Sequence, residues 1–318
     1  MDKKLKIVFY GTPEFATGVL ETLHKSPHEI VGVVTAPDKP AGRGRKIQES
    51  HVKQYAVQNN LNVLQPTNLK AQEFLDDLQS LEADLQVVVA FRMLPKAVWS
   101  MPSRGTFNLH ASLLPQYRGA APINWAIINQ EKVTGVTTFF IDEKIDTGAI
   151  IDQESISIEK DENVGSLYST LMQLGAQLTL KTVNAIAKGD VSTTIQKNAQ
   201  DLKEAPKLNA KNTTIDFEKS AREVDALVRG LNPYPVAKAS LIQDGEQMTV
   251  KIFETRIIEK DHHMTAGSIV IDDKRMIVAC EDNWVEIIEI QLPNKKRMKI
   301  ADLLNGYSFA PDARFGKA

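Results

Sequence analysis

The stretch LKIVFYGTPEFATGVLETLHK, Leu5 to Lys25, decides the fold of the first part of the chain. Leu5 to Tyr10 is a short β-branched and apolar run, Gly11-Thr12-Pro13 is a turn, and Glu14 to Lys25 has helical periodicity. Proline suits the first turn of a helix because its φ angle is already helical and its missing N–H needs no partner there. The stretch therefore predicts a strand, a turn and a helix.

The same alternation of strands and helices continues along the chain. Predicted strands follow at Glu29–Thr35, Leu85–Phe91, Gly105–His110, Gly135–Ile141 and Ala149–Ile158, and predicted helices at Val52–Asn60, Ala71–Leu81, from Pro122, and from Val164 to about Lys188. Such alternation is typical of an α/β fold with a Rossmann-like, doubly wound, mostly parallel sheet. We assign residues 1–189 to this first domain.

Residues 190–207 are polar and without periodicity, and we interpret them as a linker. A second domain with a different sequence pattern follows. Residues 208–318 contain one helical run, Ser220–Leu231, and then short alternating runs separated by turn signals. These runs are Val236–Ile242, Met248–Glu254, Gly267–Ile271, Met276–Cys280 and Val285–Gln291. They predict a smaller, OB-like β-barrel domain.

Composition bounds the function. The chain has 318 residues, 42% of them hydrophobic, a formal net charge of −2 and a single cysteine, Cys280. One cysteine forms no intrachain disulfide and no thiolate zinc cluster, which fits a reducing compartment. The first apolar run is too short for a signal peptide or a membrane span. We expect a cytoplasmic monomer that needs no metal, and any contact with RNA must come from local basic patches.

The turn at Gly11-Thr12-Pro13 stands where a dinucleotide-binding protein would carry GxGxxG, but the second and third glycines are missing. Dinucleotide binding is therefore disfavoured, and with it an oxidoreductase, the natural alternative for a doubly wound first domain.

The stretch NLHASLLPQYRG, Asn108 to Gly119, is the strongest functional signal. Residues two apart on a strand face the same side, so Asn108 and His110 point together at a strand end, where open α/β sheets bind ligands. Asp146 follows later in the turn IDEKIDTG, from which its carboxylate could reach His110. An amide, an imidazole and a carboxylate together predict acyl transfer to an amine.

Each residue has a role in that chemistry. Transfer of a carbonyl carbon to an amine passes through a tetrahedral intermediate, to whose oxyanion Asn108 can donate an N–H. His110 can donate to the same oxygen or carry a proton, and Asp146 can stabilise the imidazolium or order a water. Purely structural roles remain open: Asn108 capping a turn, His110 hydrogen-bonded in the core, and Asp146 bonding the backbone of its own turn. No covalent nucleophile is evident.

Four motifs carry a resemblance to a known family: FYGTPEFA, APDKPAGRGRK, NLHASLLPQYRGAAPINWAI and DEKIDTG are similar to segments of the methionyl-tRNA formyltransferases. The resemblance covers most of the first domain and extends weakly into the second. It implies that Asn108, His110 and Asp146 are catalytic, that 10-formyltetrahydrofolate is the co-substrate, and that Ser112, Leu113, Leu114 and Pro115 help to form its crevice. The chain departs from the family pattern at Phe91-Arg92-Met93 and at Lys144.

Two further features favour a tRNA substrate. The segment Pro37 to Lys53 carries five basic and two acidic residues, and in the resembled family its PAGRG loop is implied to enter the acceptor stem. This resemblance assigns Arg43 to a stem contact and Arg45 and Lys46 to phosphates. In the second domain Lys295, Lys296 and Arg297 would suit a phosphate backbone.

We therefore predict transfer of a formyl group from 10-formyltetrahydrofolate to the α-amino group of methionyl initiator tRNA, in translation initiation. The alternatives are a formyltransferase acting on a sugar nucleotide, a formyltetrahydrofolate hydrolase, and a noncatalytic RNA-binding protein that keeps the fold.

Overall fold

The computed structural model describes residues 4–41, 46–197 and 201–316. Its helices are α1 (Glu14–His24), α2 (His51–Gln58), α3 (Gln72–Ser80), α4 (Lys96–Trp99), α5 (Pro122–Ile128), α6 (Val164–Lys188), α7 (Ala221–Leu231) and α8 (Ile300–Leu303). Within the described residues, no helix has the length and apolar character needed to cross a membrane.

The strands are β1 (Lys6–Gly11), β2 (Glu29–Val34), β3 (Lys39–Ala41), β4 (Lys46–Gln48), β5 (Val63–Leu64), β6 (Leu85–Val89), β7 (Thr106–His110), β8 (Arg118–Gly119), β9 (Val133–Phe140), β10 (Ile150–Ser157), β11 (Glu204–Ala205), β12 (Ala237–Gln243), β13 (Glu246–Ile258), β14 (Ile269–Asp272), β15 (Arg275–Ala279), β16 (Trp284–Gln291), β17 (Met298–Lys299) and β18 (Arg314–Gly316). The chain forms two compact units. The first contains Met1–Gly119, Val133–Ile156 and Tyr168–Glu204, and the second contains Ala120–Lys132, Ser157–Leu167 and Ala205–Ala318.

The first unit is built on a seven-stranded sheet in the order β10-β9-β7-β6-β1-β2-β5. The strand pairs β7–β6, β6–β1, β1–β2 and β2–β5 are parallel, and β7 pairs with β9 antiparallel. The predicted Rossmann-like, mostly parallel sheet is thus confirmed. Because parallel strands present their carboxyl ends at one edge, β7, β6 and β1 all end at the edge of the sheet where ligands of such sheets bind.

Strand β1 is an interior strand of this sheet, between β6 and β2, and the apolar run that predicted it is buried on both faces. Ile7, Val8, Phe9 and Tyr10 are all fully inaccessible, as expected for a central strand of a sheet with helices on both sides. Gly11 ends the strand, where a Cβ atom would lie 2.5 Å from the Cβ of a residue in α1. Glycine at this turn therefore allows helix α1 to pack directly against the strand end.

The second unit holds the predicted small barrel. Its strands follow the order β14-β15-β16-β13-β12-β18, with β17 paired to β16, and the printed registers are antiparallel. An antiparallel bridge between Ser268 and Arg314 links the segment before β14 to β18, so the sheet is nearly closed. The predicted OB-like character is confirmed at the level of a nearly closed antiparallel barrel.

Helix α7 packs its apolar face on this barrel, and its N-terminus shows why it begins at Ala221. Ser220 accepts a hydrogen bond from the backbone N–H of Glu223, whose carboxylate in turn accepts from Ser220, so a capping box satisfies amide groups that lack helical partners. Cys280 lies in the same apolar core, and burial raises the pKa of its thiol to about 12. A buried thiol with a raised pKa contributes to packing in the core and is poorly reactive.

Candidate active site

Strand β7 places Asn108 and His110 on one face of the first unit's sheet. Their neighbours along the strand, Phe107 and Leu109, face the opposite way and are buried to 0% and 3% exposure. Asn108 lies beside Val88 of β6 and Phe139 of β9, and His110 lies beside Thr137. The alternation read from the sequence thus yields an amide and an imidazole side by side at the carboxyl end of β7.

The His110 ring is fixed by a backbone carbonyl. Its Nε2 lies 2.8 Å from the carbonyl oxygen of Tyr117, and only 8% of the side chain is exposed. Because a carbonyl oxygen only accepts, Nε2 carries the proton that is donated to it. In the neutral ring Nδ1 is then the nitrogen with a free lone pair, and it lies 3.9 Å from Oδ2 of Asp146.

Asp146 reaches the imidazole from the turn between β9 and β10, as its position in DEKIDTG predicted. Its φ angle of 55° lies in the left-handed region, and its Oδ2 accepts a hydrogen bond of 3.1 Å from the backbone N–H of Gly119. Two residues later, a Cβ atom on Gly148 would lie 1.7 Å from the carbonyl oxygen of Phe140, so only glycine fits there. The tight turn therefore aims the carboxylate at His110.

A second carboxylate in this segment, that of Asp142, is used inside that same turn. It accepts hydrogen bonds from the backbone N–H of Lys144 at 3.0 Å and from the hydroxyl of Thr147 at 2.8 Å. Asp142 thus closes the turn, while Asp146 faces the site.

Asn108 presents an unpaired polar atom to this site. Its Oδ1 is buried and has no hydrogen-bond partner among the described residues. Rotation of the side-chain amide by half a turn exchanges oxygen and nitrogen, so Asn108 can place either an acceptor or an N–H donor at this buried position. A buried polar atom without a partner is costly, and a bound ligand would remove that cost.

The loop Ser112 to Pro115, predicted to help form the folate crevice, is held in place by the hydroxyl groups of Thr137 and Ser112. The Thr137 Oγ1 donates to the carbonyl of Ser112 at 2.6 Å, and it accepts from the backbone N–H of Leu114 and from Nε2 of Gln153. The Ser112 side chain is itself fully buried and donates to the carbonyl of Gln116 at 2.7 Å. Its hydroxyl therefore shapes the loop from inside, and Leu113 and Pro115 are partly exposed on it.

Sequence reasoning missed two residues that hold the site together, Arg118 and Gln196. The Gln196 Nε2 donates to the carbonyl oxygens of Asp146 and Gly148, and its Oε1 accepts from the guanidinium of Arg118. Arg118 belongs to the quoted PQYRG run and could have been singled out as a charge within the motif. Gln196 lies in a polar segment without periodicity, which offered no signal.

At the two departures from the family pattern, Arg92 and Lys144 are both exposed. The Arg92 guanidinium donates to the carbonyl oxygens of Pro66 and Thr67, the latter at 3.0 Å. Lys144 is exposed in the turn. Among the described residues no group of three or more His, Cys, Asp or Glu side chains could hold a metal ion.

The residues predicted to bind tRNA fall into two groups. Arg43 and Arg45 lie outside the described residues, and Lys46 begins strand β4. In the second unit the Arg297 guanidinium is paired with the carboxylate of Glu289 and lies 4.3 Å from the ring centroid of Phe253. Lys295 and Lys296 are exposed, and the Lys295 ammonium lies 5.6 Å from the ring centroid of Tyr307.

Comparison with known proteins matches both units. The family model described as formyl transferase matches residues 4–183, and that described as formyl transferase, C-terminal domain, matches residues 207–308. The chain is 54% identical to the methionyl-tRNA formyltransferase of Flavobacterium johnsoniae, over 98% of this chain and 99% of that protein. It is 50% identical to the methionyl-tRNA formyltransferase of Bacteroides fragilis, over 95% of each.

Solved structures share the fold at lower identity. An N-formyltransferase from Helicobacter canadensis, in complex with folinic acid and dTDP-3-aminofucose, is 21% identical and covers 92% of this chain and 100% of that one with a TM-score of 0.66. HypX from Aquifex aeolicus, in complex with tetrahydrofolic acid, is 18% identical with a TM-score of 0.63, and the match covers 95% of this chain. The chain spans about half the length of HypX, 47%.

Proposed function

The chain belongs to the methionyl-tRNA formyltransferase family, and we propose that Asn108, His110 and Asp146 carry out its formyl transfer from 10-formyltetrahydrofolate to the α-amino group of methionyl initiator tRNA. The observation that carries this proposal is the 3.9 Å approach of the Asp146 carboxylate to the His110 ring, on the sheet face that also bears Asn108.

The residues present fit a formyl donor at this place. The buried Oδ1 of Asn108 has no partner among the described residues, and when the amide is rotated by half a turn the N–H at that position donates to a ligand oxygen. The folate supplies the formyl group when bound. We propose that the partly exposed part of the loop Ser112–Pro115, at Leu113 and Pro115, borders that ligand.

Asn108 stabilises negative charge as it develops on the formyl oxygen. A side-chain N–H aimed at a developing oxyanion acts in a site where little water competes, and removal of one such donor typically costs about a hundredfold to a thousandfold in rate. Because the backbone of β7 is held by both neighbouring strands, the amide needs little reorganisation during the reaction. Asn108 is thus assigned the oxyanion role.

His110 moves the proton that the attacking amine loses. Its Nε2–H is engaged by the Tyr117 carbonyl, so the base is Nδ1, which faces Asp146. When Nδ1 takes a proton, the nearby carboxylate stabilises the positive ring, and the N–H of Gly119 keeps the carboxylate in place. The same pair can return the proton to the leaving nitrogen, directly or through a water. This mechanism uses no metal ion.

The tRNA side of the proposal rests on charge. Arg43 contacts the acceptor stem, and Arg45 and Lys46 contact phosphates, from the basic segment between Pro37 and Lys53. In the second unit Lys295 and Lys296 are the stronger candidates for a phosphate backbone because the Arg297 charge is already paired with Glu289. Domains at 1–189 and 208–318 with a linker at 190–207, a monomeric state and a cytoplasmic location belong to the same proposal.

The test compares acceptors under one set of conditions. The purified full-length chain is given 10-formyltetrahydrofolate with initiator methionyl-tRNA, with elongator methionyl-tRNA, with an amino sugar nucleotide, or with no acceptor. We expect formyl-methionine at catalytic rates only on initiator tRNA. A neutral formamide then distinguishes that product from elongator aminoacyl-tRNA. Faster transfer to the sugar nucleotide would indicate a sugar-nucleotide formyltransferase, and deformylation of the folate without an acceptor would indicate a hydrolase. Absence of any turnover would contradict the proposed enzymatic activity.

A further inference from the structure

Gln196 lies in the segment that follows α6, yet the residue is only 9% exposed. The segment runs beside the start of β10, where the backbones of Thr194 and Ile150 exchange two hydrogen bonds of 2.8 Å each. Two residues after this bridge, the Gln196 side chain enters the turn that carries Asp146. A polar residue from a segment without sequence signal is therefore anchored in the first unit.

All the hydrogen-bonding capacity of the Gln196 amide is used there. Its Nε2 donates to the carbonyl oxygens of Asp146 at 3.0 Å and Gly148 at 2.8 Å. Its Oε1 accepts from Nε of Arg118 at 3.1 Å and from Nη2 at 2.6 Å. Carbonyls only accept and a guanidinium only donates, so the orientation of the amide is unambiguous.

The turn that Gln196 holds needs support. Asp146 has a left-handed φ angle of 55°, a conformation that residues other than glycine seldom adopt, and Gly148 allows no side chain. The carboxylate of Asp146 meets the site only if this conformation is kept. Both carbonyl groups that Gln196 binds flank Thr147, so the amide fixes the part of the turn from which the carboxylate projects.

Arg118 extends the same connection to His110. It lies between Tyr117, whose carbonyl accepts from the His110 ring, and Gly119, whose N–H binds the Asp146 carboxylate. The guanidinium that Gln196 binds is therefore carried by the residue between the two backbone groups that contact His110 and Asp146. The carboxylate and the imidazole are thus held at their 3.9 Å separation from both sides.

We propose that Gln196 is a positioning residue for the reaction: its amide, oriented by Arg118, sets the turn conformation that aims the Asp146 carboxylate at His110. This inference rests on the catalytic role proposed for Asp146. Gln196 itself touches no reacting atom. Its removal lowers the rate of the chemical step and leaves the affinity for tRNA and folate nearly unchanged.

Three variants separate hydrogen bonding from packing and from charge. Gln196→Met keeps the length of the side chain and removes all four hydrogen bonds. Gln196→Glu keeps the pairing with Arg118 but places a carboxylate against two carbonyl oxygens. Gln173→Glu makes the same chemical change at an exposed position on α6 and serves as the control. Thermal melting of each variant reports whether it is folded at the assay temperature.

The expected result is a loss of kcat of roughly tenfold to a hundredfold for Gln196→Met, because small displacements of a reacting group have effects of that size. Gln196→Glu should lose at least as much despite its ion pair, and Gln173→Glu should match wild type. KM for both substrates should change by less than about threefold. In an Asp146→Asn background the Gln196→Met change should alter kcat by less than about twofold, since coupled residues are not additive.

Other results overturn the inference. Folded Gln196→Met and Gln196→Glu proteins with kcat near wild type would show that the amide does not position the carboxylate. An undiminished Gln196→Met effect in the Asp146→Asn background would show that Gln196 acts elsewhere, as would a Gln196→Glu variant more active than Gln196→Met. If Asp146→Asn alone turns over like wild type, the catalytic role of Asp146 fails, and with it the reason for this inference. Should Gln196→Met not fold, the Gln196→Glu comparison in both backgrounds decides.

Discussion

Replacing Asp146 with Asn removes one negative charge from beside His110 and changes little else. Asparagine has the same shape as aspartate, and its side-chain oxygen can still accept the N–H of Gly119 at about the observed distance of 3.1 Å. The turn and the imidazole are therefore expected to keep their positions. What is lost is the attraction between the carboxylate and the positive ring that forms when Nδ1 takes a proton.

The distance sets the size of that loss. Two unit charges 3.9 Å apart attract by about 4 kcal/mol at an effective dielectric constant of about 20, and by about 1 kcal/mol in bulk water. The side chains of His110 and Asp146 are only 8% and 13% exposed, so the less polar surroundings apply. About 4 kcal/mol on the transition state corresponds to about a thousandfold in the rate of the chemical step, and the limit in bulk water to about fivefold.

The assay is single-turnover formylation of initiator methionyl-tRNA with enzyme and formyl folate in excess, so that binding and product release do not limit the rate. Asp142→Asn is the matched control, because it makes the same change four residues earlier in the same turn, where the carboxylate serves only the turn itself. We expect Asp142→Asn to stay within a small factor of wild type. An Asp146→Asn rate within about threefold of wild type would refute electrostatic support of His110.

The remaining predictions concern other parts of the molecule. Asn108→Ala should lower kcat about a hundredfold to a thousandfold with an unchanged melting temperature, and near wild-type turnover would remove its oxyanion role. Arg43→Ala should raise KM for tRNA on the order of tenfold and leave folate affinity unchanged, whereas an equal loss of folate affinity would contradict the stem contact. Gly148→Ala should destabilise the enzyme by several kcal/mol in urea unfolding, because its Cβ would meet a backbone carbonyl oxygen at 1.7 Å. Hydrogen bonds from Arg275 lower the pKa of the Glu286 carboxyl, so the stability that this pair contributes is present at neutral pH and is lost as the pH falls. Glu286→Gln should therefore lower the free energy of unfolding by about 1 kcal/mol near pH 7, and by less in urea unfolding at acid pH.

Much of the site could be predicted because its key residues lie on a regular element with a simple period. Asn108 and His110 are two apart on β7, so a strand assignment alone places them on one face. The sequence around Asp146 did not decide whether its carboxylate faces the site, since an aspartate before Thr-Gly also stabilises turns by bonding to its own backbone. The resemblance to a family supported its role, and the structure brings its carboxylate to His110.

The features of the site that could not be predicted depend on contacts between residues far apart in the chain, for which no local sequence pattern exists. Gln196 bonds to Asp146 and Gly148 across about fifty residues, and nothing in its polar neighbourhood distinguishes it from an exposed glutamine. The antiparallel pairing of β7 with β9 was likewise not predicted, because the hydrophobic pattern of a buried strand is the same in either direction. Local periodicity predicted which elements form, and tertiary contacts decided how they serve the site.

The place of Gln196 in the chain bears on any attempt to shorten this enzyme. A fragment that stops at the end of α6, Lys188, would retain all three proposed catalytic side chains. It would nevertheless leave the carbonyl groups of Asp146 and Gly148 without the amide that binds them. If Gln196 positions Asp146 as proposed, a minimal catalytic fragment is cut after Gln196, because the predicted linker then supplies one side chain of the site.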